Sequence, residues 1–374
     1  MPRLKIIHII VGLNVGGAET MLYKLLKYAD RTKFDYEVIS LLDEGVFGPK
    51  IEKLGIPVHS LGMKKSSLNL SALKRAKSLV KKADVIQTWM YHADLFGYLI
   101  KSRSTKQKLI WGIRHSNLDR NNNKRLILLI AKINAFLSRK VDLIISCSEN
   151  AAHTHSEFGY DSSKMITIPN GFELDTFYKD PDAKEAIELE LKLPKGQPIM
   201  VHLGRWNIQK DYPNLIRAIR LVLLKRPDIN FLLCGTGIEE SNKDLIKLIK
   251  ENDIQKNIYL LGKRDDVPRI LSAANGLISS SLGEGFSNVI GEAMACETPC
   301  IVTNVGDSAY IVDHYGLVVP PRNPEKLAKA ILEFFEKVEE ERKEMGSKAR
   351  KRVISEFEIK KIARKYEEQY TVEK

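Results

Sequence analysis

Cysteine is scarce in this chain, with four residues in 374, and that is too few for a disulfide scaffold. Cys296 and Cys300 stand close together without further ligands at zinc-finger spacing, so no structural metal is expected and all four read as reduced thiols. No apolar run approaches the roughly 18 residues that cross a bilayer, which excludes an integral membrane protein. The first residues run straight into an apolar strand-like segment, without a charged leader, apolar stretch and small-residue cleavage site. The expectation is therefore a cytoplasmic protein without a secretory signal. Gly-x-Gly-x-x-Gly spacing after a strand is missing, so the dinucleotide fingerprint is not met. There are no internal repeats, no low-complexity tracts, no nucleic-acid-binding motif and no basic–aromatic interleaving, and nucleic acid is not an expected partner.

What remains is an ordinary globular balance, 44% hydrophobic and 28% charged, on a chain long enough for two or three domains. The net charge of +12 is unevenly spread. Residues 1–175 carry 27 Lys and Arg against 16 Asp and Glu, whereas the remainder carries 32 against 31. Residues 64–140 are the most biased part, with 18 basic and 3 acidic side chains. A basic half joined to a neutral half points to an anionic partner for the first: headgroups, a phosphorylated substrate or nucleic acid. A generic solubilising surface is the plainer alternative.

Short apolar runs alternate with longer amphipathic stretches from end to end. Strands are expected at 4–11, 36–42, around 58, 85–88, 108–113 and 143–146, with helices at 18–28, 71–82 and 92–101 between them. After a polar break at 177–198, rich in turn residues, the rhythm restarts with strands at 199–203, 230–234, 258–261, 276–279 and 299–303. Repeated β-then-α order with apolar strands indicates parallel sheets covered on both faces. The expected fold is α/β: two Rossmann-like, doubly wound domains facing a cleft. A charged helix begins near residue 355.

The strongest chemical signal is the stretch 279–299, SSSLGEGFSNVIGEAMACETP. Glu284 lies between Gly283 and Gly285, and Glu292 follows eight positions later in a good helix sequence. A glycine-rich loop running into a helix N-terminus offers unpaired N–H groups and the positive end of the dipole, an anion site. A carboxylate just inside that helix suits a ribose diol, and one on the loop suits sugar hydroxyls. Read alone, Glu284 as a helix cap and Glu292 as a solvated face fit equally well. Gly204-Arg205-Trp206 through Lys210 follows an apolar strand and places two cations on one strand-to-helix loop. Gly16 and Gly17 follow the first strand and allow the backbone to come close to the next helix, or simply make a tight turn. His115 follows another strand, beside Arg114, which is positioned to meet a phosphate. His153 and His155 have no ligand-spaced partners and read as helix surface, and His202 reads as packed within a strand.

Together these segments resemble the retaining GT-B glycosyltransferases of family 4 (group 1). The Glu-x7-Glu stretch, with Gly285, Phe286, Ser287, Asn288 and Val289 between its glutamates, is similar to the family signature. Gly204, Arg205 and Lys210 resemble its Gly-Arg-x4-Lys element. Gly235-Thr236-Gly237 and residues 262–271, with Lys263 and Arg264, resemble the loops around the nucleotide, IPNG at 168–171 the end of the first domain, and GLNVGGAE at 12–19 its first glycine-rich loop. The matches keep the family's order over nearly the whole chain.

The resemblance implies an acceptor-binding domain at 1–178, a nucleotide-sugar-binding domain at 179–355, and a C-terminal helix at 356–374 returning to the first. It implies catalytic roles for Glu284, Arg205, Lys210 and His115. Donor contacts are implied from Gly16, Gly17, Gly204, Gly235, Lys263, Arg264, Gly285, Phe286, Ser287, Asn288, Val289 and Glu292. Fixed cations at the departing diphosphate would do the work of a divalent metal, so neither metal nor cofactor is expected. Paired carboxylates also serve retaining hydrolases, but the resemblance assigns these to donor hydroxyls and favours front-face substitution. The implied reaction moves a hexose or N-acetylhexosamine, UDP-linked, to a saccharide or polyprenyl-diphosphate-linked acceptor in surface-polysaccharide or glycan assembly. An epimerase on the same architecture or a non-catalytic nucleotide-sugar-binding protein is the alternative. Two positions depart from the family: Glu297 and Asp211 stand where Gly is usual. Finally, 124–140, KRLILLIAKINAFLSRK, is an apolar helix with basic ends. It suits an anionic membrane interface and equally an ordinary buried helix, so peripheral attachment to the cytoplasmic face of a membrane is a further expectation.

Overall fold

The computed structural model describes residues 3–63, 69–102, 106–118 and 124–371, so parts of the basic stretch 64–140 lie outside the described residues. The chain divides into two compact units, Met1–Gly171 with Ile359–Lys374, and Phe172–Glu358.

The first unit contains β1 (Leu4–Ile10), α1 (Gly17–Lys27), β2 (Phe34–Ser40), α2 (Gly48–Glu52), β3 (Val58–Ser60), α3 (Leu70–Val80), β4 (Val85–Trp89), α4 (Tyr91–Ile100), β5 (Lys108–Ile113), α5 (Arg125–Leu137), β6 (Leu143–Ser146), α6 (Glu149–Phe158) and β7 (Met165–Thr167). The second contains α7 (Ala183–Leu191), β8 (Ile199–Leu203), α8 (Tyr212–Leu223), β9 (Asn230–Cys234), α9 (Lys243–Glu251), β10 (Ile258–Leu260), α10 (Val267–Ala273), β11 (Gly276–Ser279), α11 (Asn288–Ala295), β12 (Cys300–Thr303), α12 (Ser308–Val312), β13 (Leu317–Val319), α13 (Pro324–Glu336) and α14 (Glu339–Glu356). The chain then returns to the first unit with α15 (Ile359–Glu368).

Every pairing is parallel, in the orders β3-β2-β1-β4-β5-β6-β7 and β10-β9-β8-β11-β12-β13. The strands are apolar on both sides because helices cover both faces of each sheet: Ile6, Ile7, Ile9 and Ile10 of β1 are all buried. One side of the first sheet packs on α1 and α15, the other on α3, α4 and α5. The helices keep the complementary pattern. In α8, Tyr212, Leu215, Ile216, Ile219 and Val222 form the buried stripe, Pro213 opens the first turn and the Asp211 carboxylate caps Asn214 N–H at 3.4 Å.

Strand order reverses between β1 and β4 in one sheet and between β8 and β11 in the other. In open α/β sheets these switch points, at the carboxyl ends of the strands, are where ligands sit.

Candidate functional site

In the second unit the loops that leave the carboxyl ends of successive strands are sewn together by backbone hydrogen bonds. Gly204 N–H donates to Cys234 O (2.8 Å), Trp206 N–H to Thr236 O (2.8 Å), Gly235 N–H to Gly262 O (2.8 Å), Leu282 N–H to Gln209 O (2.7 Å) and Asp307 N–H to Gly285 O (3.1 Å). The glycines are what permit this. Gly235 has φ +149°, and a Cβ there would stand 2.1 Å from Gly204 O. Gly306, at φ +53°, lies so close under the β11–α11 loop that a Cβ would meet Glu284 O at 2.2 Å.

Across the switch point the two strongest sequence candidates meet. Lys210 Nζ bonds Glu284 Oε1 at 2.5 Å, and both side chains are more than four-fifths buried. Ser281 Oγ donates to the same carboxylate oxygen at 2.7 Å, and Ser280 Oγ to Lys210 O at 2.8 Å. The Lys210 stem crosses directly over Gly204, whose missing side chain leaves it room. Arg205 is exposed on the same loop. Glu292 lies in the second turn of α11, behind the helix N-terminus to which Gly285, Ser287, Asn288 and Val289 lead. His202 is packed as expected: its ring donates from Nδ1 to Ile278 O at 2.9 Å, and burial, aided by the Lys210 charge, lowers its pKa to about 4.

Other expected donor residues serve the protein's own packing. Phe286 is buried against Phe172 and Phe357, at 6.2 and 5.6 Å between ring centres. Arg264 forks onto Asp266 at 2.7 and 2.8 Å and reaches Glu190 at 2.6 Å, with Arg269 closing the cluster. These pairings raise the Arg264 pKa and hold Asp266 down at about 2. Lys263 beside it is exposed.

The first unit carries His115, Gly16 and Gly17. His115 follows β5, and its Nδ1 accepts the Asn117 N–H at 3.0 Å, so the neutral ring bears its proton on Nε2. Burial lowers its pKa. The close backbone approach expected of Gly16 and Gly17 is not there: a Cβ on Gly17 would touch nothing within 4 Å, and one on Gly16 would meet only the flexible end of Glu19. Val15 beside them is 70% exposed.

Two side chains differ from their expected settings. Arg114, expected to be available to phosphate, donates to Asn170 Oδ1 (2.8 Å) and the Tyr366 hydroxyl and lies over the Trp89 ring at 4.6 Å. It pins α15 to β4. His155 is fully buried, not on the helix surface. Its Nδ1–H donates to Ala151 O at 2.8 Å and its Nε2 accepts the Tyr91 hydroxyl at 2.8 Å, with burial as the main cause of a pKa near 4. A polar helix sequence concealed an inward Ala151–His155 pair whose hydrogen-bond partner came from α4. Glu297, one of the two departures from the family, follows the C-cap of α11, its carbonyl packed against Gly346 of α14.

Sequence reading also missed Ser281, Gly291 and Gly306. Gly291 lets α11 ride against Phe172, where a Cβ would overlap the ring. A Gly after a strand with Asp307 behind it was the available signal for Gly306.

Two doubly wound parallel units, one with a charged, glycine-shaped site at its switch point, define the GT-B class. HepE from Anabaena, solved with UDP and glucose, superposes with a TM-score of 0.82 over 98% of this chain and 99% of that one, at 20% identity. Residues 183–352 match the model of glycosyl transferases group 1, and residues 15–176 that of glycosyltransferase family 4. The chain belongs to the group 1 glycosyltransferases. Among curated relatives, a Bacillus anthracis N-acetyl-alpha-D-glucosaminyl L-malate synthase is 25% identical over 61% of this chain and 59% of its own length. An Escherichia coli UDP-Gal:alpha-D-GlcNAc-diphosphoundecaprenol alpha-1,3-galactosyltransferase is 22% identical over 98% of this chain and 97% of that protein.

Proposed function

We propose that this glycosyltransferase moves a hexose or N-acetylhexosamine from a UDP-linked donor, with retention and without a metal, to a saccharide or polyprenyl-diphosphate-linked acceptor. The observation that carries the reading is the Lys210–Glu284 pair across the β8/β11 switch point, beside exposed Arg205 and the N-terminus of α11.

In this reading the donor diphosphate takes Lys210 from Glu284. Arg205 and Lys210 then face the oxygen that gains charge as the glycosidic bond breaks, where fixed cations favour the transition state over the ground state. Glu284, released from the lysine, accepts from sugar hydroxyls, and Glu292 from the ribose. The N–H groups leading into α11 complete the anion site. His115 offers its Nε2–H to the donor sugar as a hydrogen-bond donor, since its other nitrogen is already engaged. The acceptor hydroxyl attacks on the face the nucleotide leaves, its proton passing to the departing phosphate oxygen. The lipid-diphosphate acceptor named for the E. coli relative supports the acceptor class, and the UDP bound in HepE supports the base.

The test is a thermal-shift panel in EDTA with UDP, GDP, ADP and NAD, followed by NMR of the product's anomeric configuration. UDP alone should raise Tm, and Glu292→Ala should abolish the shift. A response only to NAD, a requirement for added divalent metal, an inverted product or a trapped covalent glycosyl-enzyme would each overturn the corresponding part.

A further inference from the structure

Helix α5 has 13 residues, and at 1.5 Å per residue it is about 20 Å long, too short to cross a bilayer. No helix among the described residues is long and apolar enough to do so. Its inward face is ordinary. Ile130, Ala131, Asn134 and Ala135 are buried, and Asn134 donates to Tyr91 O at 2.9 Å. The outward face is not. Leu126, Leu129, Ile133 and Phe136 are 46, 56, 40 and 69% exposed, and their spacing of three, four and three aligns them in one stripe. A helix packed on all sides with charged ends would have hidden these four.

Around the stripe, Lys124, Arg125, Lys132, Arg139 and Lys140 are exposed, and residues 124–140 contain no Asp or Glu. The same layer continues through α4 to α3. There Lys74, Arg75, Lys77, Lys81 and Lys82 are also exposed.

We propose that the outward face of α5 is a docking surface for an anionic lipid bilayer, the helix lying in the interface plane. The leucines, isoleucine and phenylalanine enter the acyl boundary and the lysines and arginines meet the headgroups. A second copy of the chain is the poorer occupant, because a two-fold contact would set this cationic rim against itself. The proposal deepens the lipid-linked acceptor reading, since α5 follows in sequence from the β5 connection that carries His115, but it is tested without donor or acceptor.

Full-length protein is floated with phosphatidylcholine vesicles, with and without phosphatidylglycerol, at low and high salt. It should bind the anionic vesicles at low salt and lose most of that binding at high salt. Leu129→Asp and Phe136→Asp should each weaken binding by about tenfold or more, and Lys132→Glu by roughly fivefold. All three positions are exposed, so Tm should stay at the wild-type value. No flotation at low salt, or flotation unchanged in the aspartate variants, overturns the proposal. So does a wild-type dimer that these variants dissociate while vesicle binding is absent. Loss of transfer to a soluble acceptor with flotation intact would count against the glycosyltransferase reading and leave the surface standing.

Discussion

The two units share one architecture but differ in where their most telling polar groups sit, although each also buries a neutral histidine in its core. The second places its charges on the loops at the strand ends, where Lys210 and Glu284 hold each other across the switch point and glycines bring the loops together. The first buries its polar groups inside the layers. His8 accepts the Trp89 Nε1–H at 3.2 Å, His155 accepts the Tyr91 hydroxyl, and Arg114 stacks between Trp89 and Tyr366. A ligand can displace a charge pair on a loop; a neutral imidazole locked in a core mainly holds shape. The fold alone therefore does not say where the chemistry is, and the position of ionisable groups relative to the strand ends does.

The largest effect should come from breaking the second unit's pair. Lys210→Ala should lower kcat by roughly 10²–10³-fold while the first unit's stability is unchanged, measured by steady-state kinetics beside a thermal melt. A drop of only a few fold would mean that Lys210 serves structure alone. Next comes Gly306→Ala, which places a methyl group against Glu284 O at a left-handed φ. It should cost about 2–3 kcal/mol and raise KM for the donor, since the Glu284 loop must move to relieve the contact.

Acid should then separate the units. His8, His155 and His202 have pKa values lowered from 6.5 to about 3, 4 and 4, all chiefly by burial. Each is neutral when folded and binds a proton more readily when unfolded. Stability is therefore complete above about pH 6.5 and falls as pH drops toward 4, by up to about 1.4 kcal/mol per pH unit for each histidine. Two of the three lie in the first unit, so hydrogen exchange below pH 6 should rise there first; earlier exchange in the second unit would contradict this. The smallest effect has the opposite sign. Glu297 sits at φ +59° and Asp211 at +47°, the left-handed region that glycine occupies without strain. Glu297→Gly should stabilise by about 0.5–1 kcal/mol, and Asp211→Gly by less, because it also removes the α8 cap.

Nearly all of the long strands were legible, since continuous apolar runs bounded by turn residues leave few alternatives. The three-residue strands β7 and β13 went unread, although β3 and β10, equally short, did not. In the site, Arg205 and Lys210 could be singled out because they share a loop that follows an apolar strand and Gly204, and Glu284 because its stretch resembles the family signature, for read alone it fits a helix cap equally well. The settings of Arg114, His155 and Arg264 could not. Whether a cation faces a ligand or a neighbouring side chain depends on partners distant in sequence: Tyr366 for Arg114, Tyr91 for His155, Glu190 for Arg264. The two family departures carried information of another kind, for both mark left-handed backbone.

The return of α15 has a consequence for how the chain is made. Ile359, Ile362, Ala363, Tyr366 and Tyr370 fill the core formed by β1, β2, α1 and α2, and Tyr370 donates to Gln87 Oε1 at 2.5 Å within it. On the ribosome, all of the second unit emerges before these residues do. The half translated first is therefore the half completed last, holding an open apolar seat while its neighbour folds. A released chain truncated just before Ile359 should give a protease-resistant second unit and a digestible first one.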